Sequence, residues 1–304
     1  NMEILAEFGT QEQKDQWLSP LLNGDIRSCF AMTEPDVASS DATNISSSIV
    51  SDGDNYVING RKWWTSNAIN PRAKICIFMG ITNPENPPHT RQSQVLVPMD
   101  TEGITIVRPM HVYGYDDGYT GHPELNFENV VVPKTNIIGG EGMGFKIAQA
   151  RLGPGRIHHC MRTIGMAERA LQLSLEHASQ RSQFGKKIAD FQMIQSKLAD
   201  MYAGLEAMKA LNLKVLNQIN YATSQDAGRG MVHADAAASI MFCANMLNSI
   251  LDEAVQIHGG SGYIWESEIN RLYRGNKLLE IGAGTTEVRK MIISQELISI
   301  GSVV

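Results

Sequence analysis

Cysteine is scarce: Cys29, Cys76, Cys160 and Cys243 are the four thiols in 304 residues, scattered and without a CxxC pair. That pattern excludes a dense disulfide framework and points to a reducing compartment. No metal site is expected. Long apolar runs are also missing. Stretches such as Ile75–Met79 fall far short of a bilayer's thickness, so no membrane span is expected. Positive charge is in the minority, with 26 Lys and Arg against 32 Asp and Glu, a net charge of −6. This argues against nucleic acid as a partner, because phosphate contacts need clustered cations. Short repeats and low-complexity blocks are absent too, and Gln256–Gly262 holds no GxGxxG nucleotide fingerprint. What is present suffices for a core. Hydrophobic residues make up 43% and charged residues 19%, and the length suggests about two domains.

Asn1-Met2 opens directly onto a helical pattern, without the features of a signal or transit segment, and the chain reads as lacking an upstream piece. Thr10 and Gln13 form a capping-box pattern ahead of a helical face of Trp17, Leu18, Leu21 and Leu22. Pro20 is expected to break or bend that helix, and Asn23-Gly24 to end it. From Ser28 to about Pro133 the texture is strands and turns. Tyr56–Ile58, Asn59-Gly60 and Arg61–Thr65 spell a hairpin with a type I′ turn. Ile75–Met79, Gln94–Pro98, Ile104–Val107 and Glu124–Val132 are further strands. Thr82–His89, with three prolines, is a loop. After Gly139 the periodicity is helical. Leu171, Leu175 and Ala178 form one core stripe, Met201, Leu205 and Met208 a second, and Ile240, Leu247, Leu251 and Ala254 a third. The fold class is therefore α+β multidomain. Residues 1–27 end a helical domain, 28–135 form a middle β-barrel or β-sandwich, and 136–304 form a four-helix bundle.

Four segments could carry chemistry, each with a plainer alternative. Phe30 to Asp41 is either a surface loop or a turn offering N–H and O–H groups to a phosphate or flavin edge. Lys62–Asn67 holds Trp63 and Trp64, which alternate faces if they lie in a strand. One could then meet a planar ligand, or both could be ordinary strand tryptophans. Arg181–Lys187 is either a basic connection between helices or a pyrophosphate site built from an Arg, an aromatic and a Gly. Gln256–Gly262 reads by itself as a glycine helix stop. His158 and His159 lack metal-ligand spacing and read as surface or packing histidines.

Together, the order of these segments resembles the acyl-CoA dehydrogenase family over nearly the whole chain. The matching stretches are Met32-Thr33-Glu34-Pro35, Trp64-Thr65-Ser66, Arg181 to Gly185 with Phe191-Gln192, and Gln256 to Gly260. The first half and Arg151–His159 are most similar to the branch of family members 10 and 11. Glu280–Thr285 is similar to the isovaleryl branch. Family chains usually begin with a full helical domain, of which the last helix, around Gln11 to Leu22, is expected to remain. The first signature departs by one residue, at Asp36-Val37-Ala38-Ser39-Ser40.

The resemblance implies FAD as cofactor and an acyl-CoA thioester as substrate, in fatty-acid or branched-chain acyl oxidation. A carboxylate removes the α-proton while the β-hydrogen leaves as hydride to the flavin. By resemblance, Phe30, Met32, Thr33, Ser39, Trp64, Thr65 and Ser66 contact the flavin and its chain. Thr285 and Glu287 lie near its pyrophosphate or adenine. Arg181, Phe184, Gln192, Gln256, Gly259 and Gly260 reach the FAD of a neighbouring subunit, which implies a homodimer or homotetramer. Ser40, Arg156, Ala283 and Gly284 fall to the substrate, with the Ala283 N–H polarising the thioester oxygen. The base is the departure. The two family positions hold Gly155 and Ala283, neither an acid, and the remaining candidate, Glu280, reads as structural. Two readings therefore stand: an acyl-CoA dehydrogenase with an unorthodox base, or a weak or inactive family scaffold that binds acyl-CoA or a protein partner. The resemblance further implies an electron-transfer flavoprotein or similar acceptor. It implies the mitochondrial matrix or peroxisome for a eukaryotic source and the cytoplasm for a bacterial one. Gly153-Pro154-Gly155 is expected to disturb the helix that lines the acyl pocket.

Overall fold

The computed structural model describes residues 1–115, 117–221 and 231–301, with the side chains of 152–154 and 221 outside the description. The chain divides into two compact units, Asn1–Arg151 and Leu152–Val304.

In the first unit, α1 (Met2–Phe8) precedes the predicted helix, which is a composite of α2 (Gln11–Gln13), a π-turn (Lys14–Leu18) and α3 (Ser19–Asn23). Both halves of the Thr10–Gln13 capping box form. Pro20 has no N–H to donate. The chain absorbs it without a break: the turn ahead widens, and the Ser19 N–H reaches back to Lys14 O. Gly24, at φ 79°, then ends the helix. Ile4, Leu5 and Leu21 pack on Ile75, Ile77 and Leu96 of the sheet, while Leu22 points outward. Gln13 Nε2 ties this helix to the carbonyls of Thr135 and Ile137.

The strands are β1 (Arg27–Ala31), β2 (Ser48–Asp52), β3 (Asn55–Lys62), β4 (Ala73–Ile81), β5 (Gln92–Pro98), β6 (Ile104–Met110) and β7 (His122–Pro133). They form one mixed, curled half-barrel sheet in the order β1-β4-β2-β3-β7-β6, with β5 on β4. β1 and β4 run parallel, whereas β2–β3, β3–β7, β4–β5 and β6–β7 are antiparallel. The expected hairpin at Asn59-Gly60 is not there. Those residues lie inside β3, where the pairing with β7 shifts register. Gly60 is required by crowding, since a Cβ would lie 2.1 Å from Ser47 Oγ. The real hairpin turns directly after Asp52, through the two-residue loop Gly53-Asp54, with Gly53 at φ 54°.

The remaining elements are α4 (Gly144–Gln180), β8 (Ser182–Gln183), β9 (Lys186–Lys187), α5 (Gln192–Tyr221), α6 (Met231–His258), α7 (Gly260–Tyr263), α8 (Glu268–Asn276), α9 (Leu278–Ile281) and α10 (Thr286–Ile300). The core of the second unit joins Leu171, Ala178, Met201, Leu205, Met208, Ile240, Leu247, Leu251 and Ala254. Leu175, expected there, is exposed, because only Leu171 and Ala178 of its stripe face inward. The backbone of α4 continues through Gly153-Pro154-Gly155 without the expected disturbance. Among the described residues one helix, α6, is long and apolar enough to cross a membrane. Its apolar residues Ile240, Leu247, Ile250 and Leu251 form the centre of this helical core, which accounts for that composition. The four cysteines are buried free thiols, Cys29 and Cys76 in the first unit and Cys160 and Cys243 in the second.

Candidate functional site

In the first unit, the two segments expected at a flavin lie side by side. β1 ends at Ala31 and β3 at Lys62, and beyond these ends the Trp63 N–H donates to Thr33 O at 3.0 Å. Met32 packs beside Ile45, Met79 and Ala148. Phe30 is half-buried, with the Arg151 guanidinium 4.4 Å from its ring centroid. The strand alternation expected for Trp63 and Trp64 fails because the strand has already ended. Trp64 takes a left-handed backbone (φ 54°) and stays 40% exposed, its ring 6.0 Å from that of Trp63. Thr65 is buried and its N–H donates to Pro123 O, while Ser66 Oγ lies 2.7 Å from His122 Nδ1. The Ser39 hydroxyl closes its own loop, accepting from the Glu34 N–H at 3.1 Å, and Ser40 is exposed.

Two residues beneath this surface had no role in the sequence reading. Lys62 is fully buried, and its Nζ donates to Glu34 Oε1 (2.7 Å), Met79 O (2.7 Å) and Met32 O (3.0 Å). Glu34 also accepts from the Ser46 N–H and Oγ and from the Ser47 N–H. Burial opposes ionisation of Glu34, but Lys62 and the two serines prevail and hold its pKa down to about 2. Burial pulls Lys62 down to about 8 even though Glu34 favours its charge. A signal was available: counting by twos from the buried Tyr56 and Ile58 puts Lys62 on the inner face.

In the second unit, β8 and β9 form a two-residue hairpin around Phe184-Gly185, both at positive φ (52° and 83°). The ring of Phe184 is 88% exposed. Arg181 sits at the exit of α4 and Gln192 at the start of α5, both exposed. Gln256 lies in the last turn of α6, Gly259 (φ 58°) joins α6 to α7 and Gly260 begins α7, and all three are exposed.

Ala283 (φ 54°) and Gly284 (φ 94°) form a tight turn before Thr285, which caps α10 by accepting from the Val288 N–H. Glu287 is exposed in the first turn of α10, where its own N–H and the Thr285 side chain lower its pKa. The turn is pinned by Arg289, which the sequence reading missed. Its guanidinium is buried and donates to Leu279 O and Gly282 O. Arg156 is also buried, and burial lowers its pKa. Its Nε has no hydrogen-bonding partner among the described residues. Gly155 is helical with open space where a Cβ would stand. Glu280 is ion-paired to Lys277 on the neighbouring turn. His158 is exposed and His159 half-buried on α4.

The first unit's curled sheet carries two juxtaposed loop segments and the second unit is built of long helices, and solved structures share this fold. Butyryl-CoA dehydrogenase from Megasphaera elsdenii matches with a TM-score of 0.86 and 33% identity, over 98% of this chain and 74% of that one. A structure described as PigA with FAD and proline matches with a TM-score of 0.86 and 26% identity, over 97% of this chain and 74% of that one. The family model for the acyl-CoA dehydrogenase middle domain matches residues 29–130, and that for the C-terminal domain matches 142–298. The chain belongs to the acyl-CoA dehydrogenase family. Among curated relatives, the Mycobacterium tuberculosis protein named probable acyl-CoA dehydrogenase FadE2 is 46% identical, over 98% of this chain and 72% of its own length. Acyl-CoA dehydrogenase family member 11 of Homo sapiens is 46% identical over 97% of this chain, which spans only 37% of that protein.

Orphaned polar atoms in the first unit suit a flavin. Trp63 Nε1 and Thr65 Oγ1 are buried without a hydrogen-bonding partner among the described residues. A buried donor left unpaired costs about 1–3 kcal/mol, so a ligand that accepts from it recovers that energy. They belong to the residues on either side of Trp64 in sequence, whose own side chain is 40% exposed.

Proposed function

We propose that this chain is the core of an FAD-dependent acyl-CoA dehydrogenase that oxidises an acyl-CoA thioester between its α and β carbons, in fatty-acid or branched-chain acyl oxidation. The observation that carries the reading is the Thr33–Trp63 junction, which joins Met32-Thr33 to Trp64-Thr65-Ser66 beside two orphaned donors. When bound, FAD would supply the acceptor for the β-hydride. Phe30, Met32, Thr33, Trp64, Thr65 and Ser66 would hold its ring side. Arg181, Phe184, Gln192, Gln256, Gly259 and Gly260 would hold the FAD of a second copy, which makes the working species a homodimer or homotetramer. An electron-transfer flavoprotein or similar protein would reoxidise it.

At the substrate, the Ala283-Gly284 turn would present the Ala283 N–H to the thioester oxygen as enolate character develops. Arg289, by fixing the carbonyls of Leu279 and Gly282, keeps that turn in place. A second reading, a weak or inactive scaffold, is favoured by one observation: Gly155 and Ala283 carry no acid, and Glu280 is engaged in an ion pair with Lys277. Loss of a general base costs typically about 10²–10⁴-fold.

The test is anaerobic titration of the purified protein with acyl-CoA. A yellow protein that bleaches supports the dehydrogenase, whereas a yellow protein that binds thioester without bleaching supports the scaffold. Arg181→Ala should lower flavin occupancy, and equal occupancy would count against the shared-cofactor geometry. Equilibrium dialysis should show binding of the thioester and not of the matching free acid.

A further inference from the structure

Buried ion pairs are poor sources of stability, because desolvating both charges offsets most of their attraction. The Lys62–Glu34 pair is nonetheless fully built. All three Nζ hydrogens of Lys62 have acceptors, namely Glu34 Oε1, Met79 O and Met32 O. Both oxygens of Glu34 accept two bonds each, Oε1 from Lys62 and the Ser47 N–H, Oε2 from the Ser46 N–H and hydroxyl. Lys62 immediately precedes Trp63, whose N–H bonds Thr33 O, and Lys62 itself holds the carbonyl of Met32. Glu34 follows Thr33 directly. The pair thus clamps, from below, the two segments that form the candidate flavin surface, 28 residues apart in sequence.

We propose that Lys62 and Glu34 are positioning residues for the flavin, setting the register of Met32-Thr33 against Trp64-Thr65-Ser66 so that the surface is organised before FAD arrives. This rests on the reading of the chain as an FAD protein. Preorganisation of this kind shows as ligand affinity more than as stability, since it lowers the ordering cost of binding.

The protonation state gives the proposal a signature. The groups facing Lys62 Nζ are the Glu34 carboxylate, the Cys76 thiol and the Phe78 ring, whose centroid is 4.8 Å away. Once Lys62 loses its proton, at about pH 8, Glu34 is left as a buried anion without a counter-charge and the clamp loosens. FAD affinity should therefore fall through that range. Stability moves the other way. The unfolded lysine keeps its proton to about pH 10.5, so between the two values the unfolded state binds more protons and the Lys62 contribution to stability rises with pH. A loss of affinity in this window is then not explained by unfolding.

The experiment is flavin-fluorescence titration of the flavin-stripped full chain with FAD from pH 6.5 to 9.5, with circular dichroism alongside. The wild type should lose at least tenfold in affinity across pH 8. Glu34→Gln should bind FAD at least tenfold more weakly at pH 7 and move the alkaline limb to lower pH, because the carboxylate that supports the Lys62 charge is gone. Lys62→Met should remove the limb and shift the visible absorption band of the bound flavin. Wild-type affinity that is flat with pH, together with unchanged affinity in Glu34→Gln, overturns the positioning role while leaving the FAD reading intact. Failure of the wild type to bind FAD at any pH overturns the FAD reading and this inference with it.

Discussion

Replacing Phe184 by Asn should make the flavin-free chain more stable and the flavin-loaded chain harder to assemble. Phe184 occupies the first of two left-handed positions in the β8–β9 turn, at φ 52°, followed by Gly185 at φ 83°. An L-residue in that region costs roughly 1–2 kcal/mol, and a bulky aromatic has no local hydrogen bond to offset it. Asn tolerates the conformation, and Asn-Gly is the preferred pair for such a turn. The ring is 88% exposed, so its removal forfeits little burial within the chain. The expected net is a gain of about 1 kcal/mol, or roughly 2–4 °C in Tm for a unit of this size. Thermal melting of the flavin-free protein by circular dichroism reads the first half of the prediction. Flavin retained after gel filtration reads the second half, and it should fall if, as proposed, the exposed ring serves a second copy's FAD. A lower Tm in Phe184→Asn would mean that the ring is packed in solution and the strain argument is wrong. Unchanged flavin retention would mean that the strain has no functional return.

Three further outcomes are expected. Gly155→Glu enters open space on a helix, and Ala283→Glu keeps a left-handed backbone whose Cβ cost Ala283 already bears, so either should raise turnover by about 10²–10⁴-fold if the missing base limits the rate; an ordinary wild-type rate that Glu280→Gln abolishes without flavin loss would make Glu280 the base. Glu34 ionises near 2 when folded and near 4.5 when unfolded, so its contribution of about 3 kcal/mol is complete above pH 4.5 and is lost as the pH falls through 2; urea unfolding between pH 5 and 2 should show a slope that is shallower in Glu34→Gln. Gly60→Ala drives a Cβ into Ser47 and should destabilise by about 2 kcal/mol, with Ser47→Gly in the same chain recovering most of it, and an unchanged urea midpoint would refute the crowding.

The strands were legible where local and global preferences agree. The run Ile75–Met79 is buried on both faces and bounded by turn residues, so β4 could hardly be anything else. Asn59-Gly60 shows the opposite case. Its turn preference is worth little beside the β3–β7 ladder on either side of it, and the glycine serves a close approach instead of a turn. The β8–β9 hairpin was illegible because Phe is a poor residue for its first turn position, a conflict of the kind that gathers at functional surfaces. Trp64 was misread for a related reason, since strand alternation stops where the chain turns left-handed to expose a ring. The Lys62–Glu34 and Arg289 contacts depend on pairings distant in sequence or on buried carbonyls, and only Lys62 left a trace in its strand parity.

Each unit owns two thiols that are at most 1% exposed, Cys29 and Cys76 in one, Cys160 and Cys243 in the other. A thiol reagent cannot reach them until the surrounding structure opens, so labelling rates report opening free energies directly. The unmodified chain therefore carries a built-in pair of reporters for each half. Mass spectrometry after pulsed alkylation would separate them by peptide and time the loosening of the sheet and of the helices independently, with no engineered probe. Added FAD should slow the reaction at Cys29 and Cys76 by the factor its binding contributes to the stability of that unit.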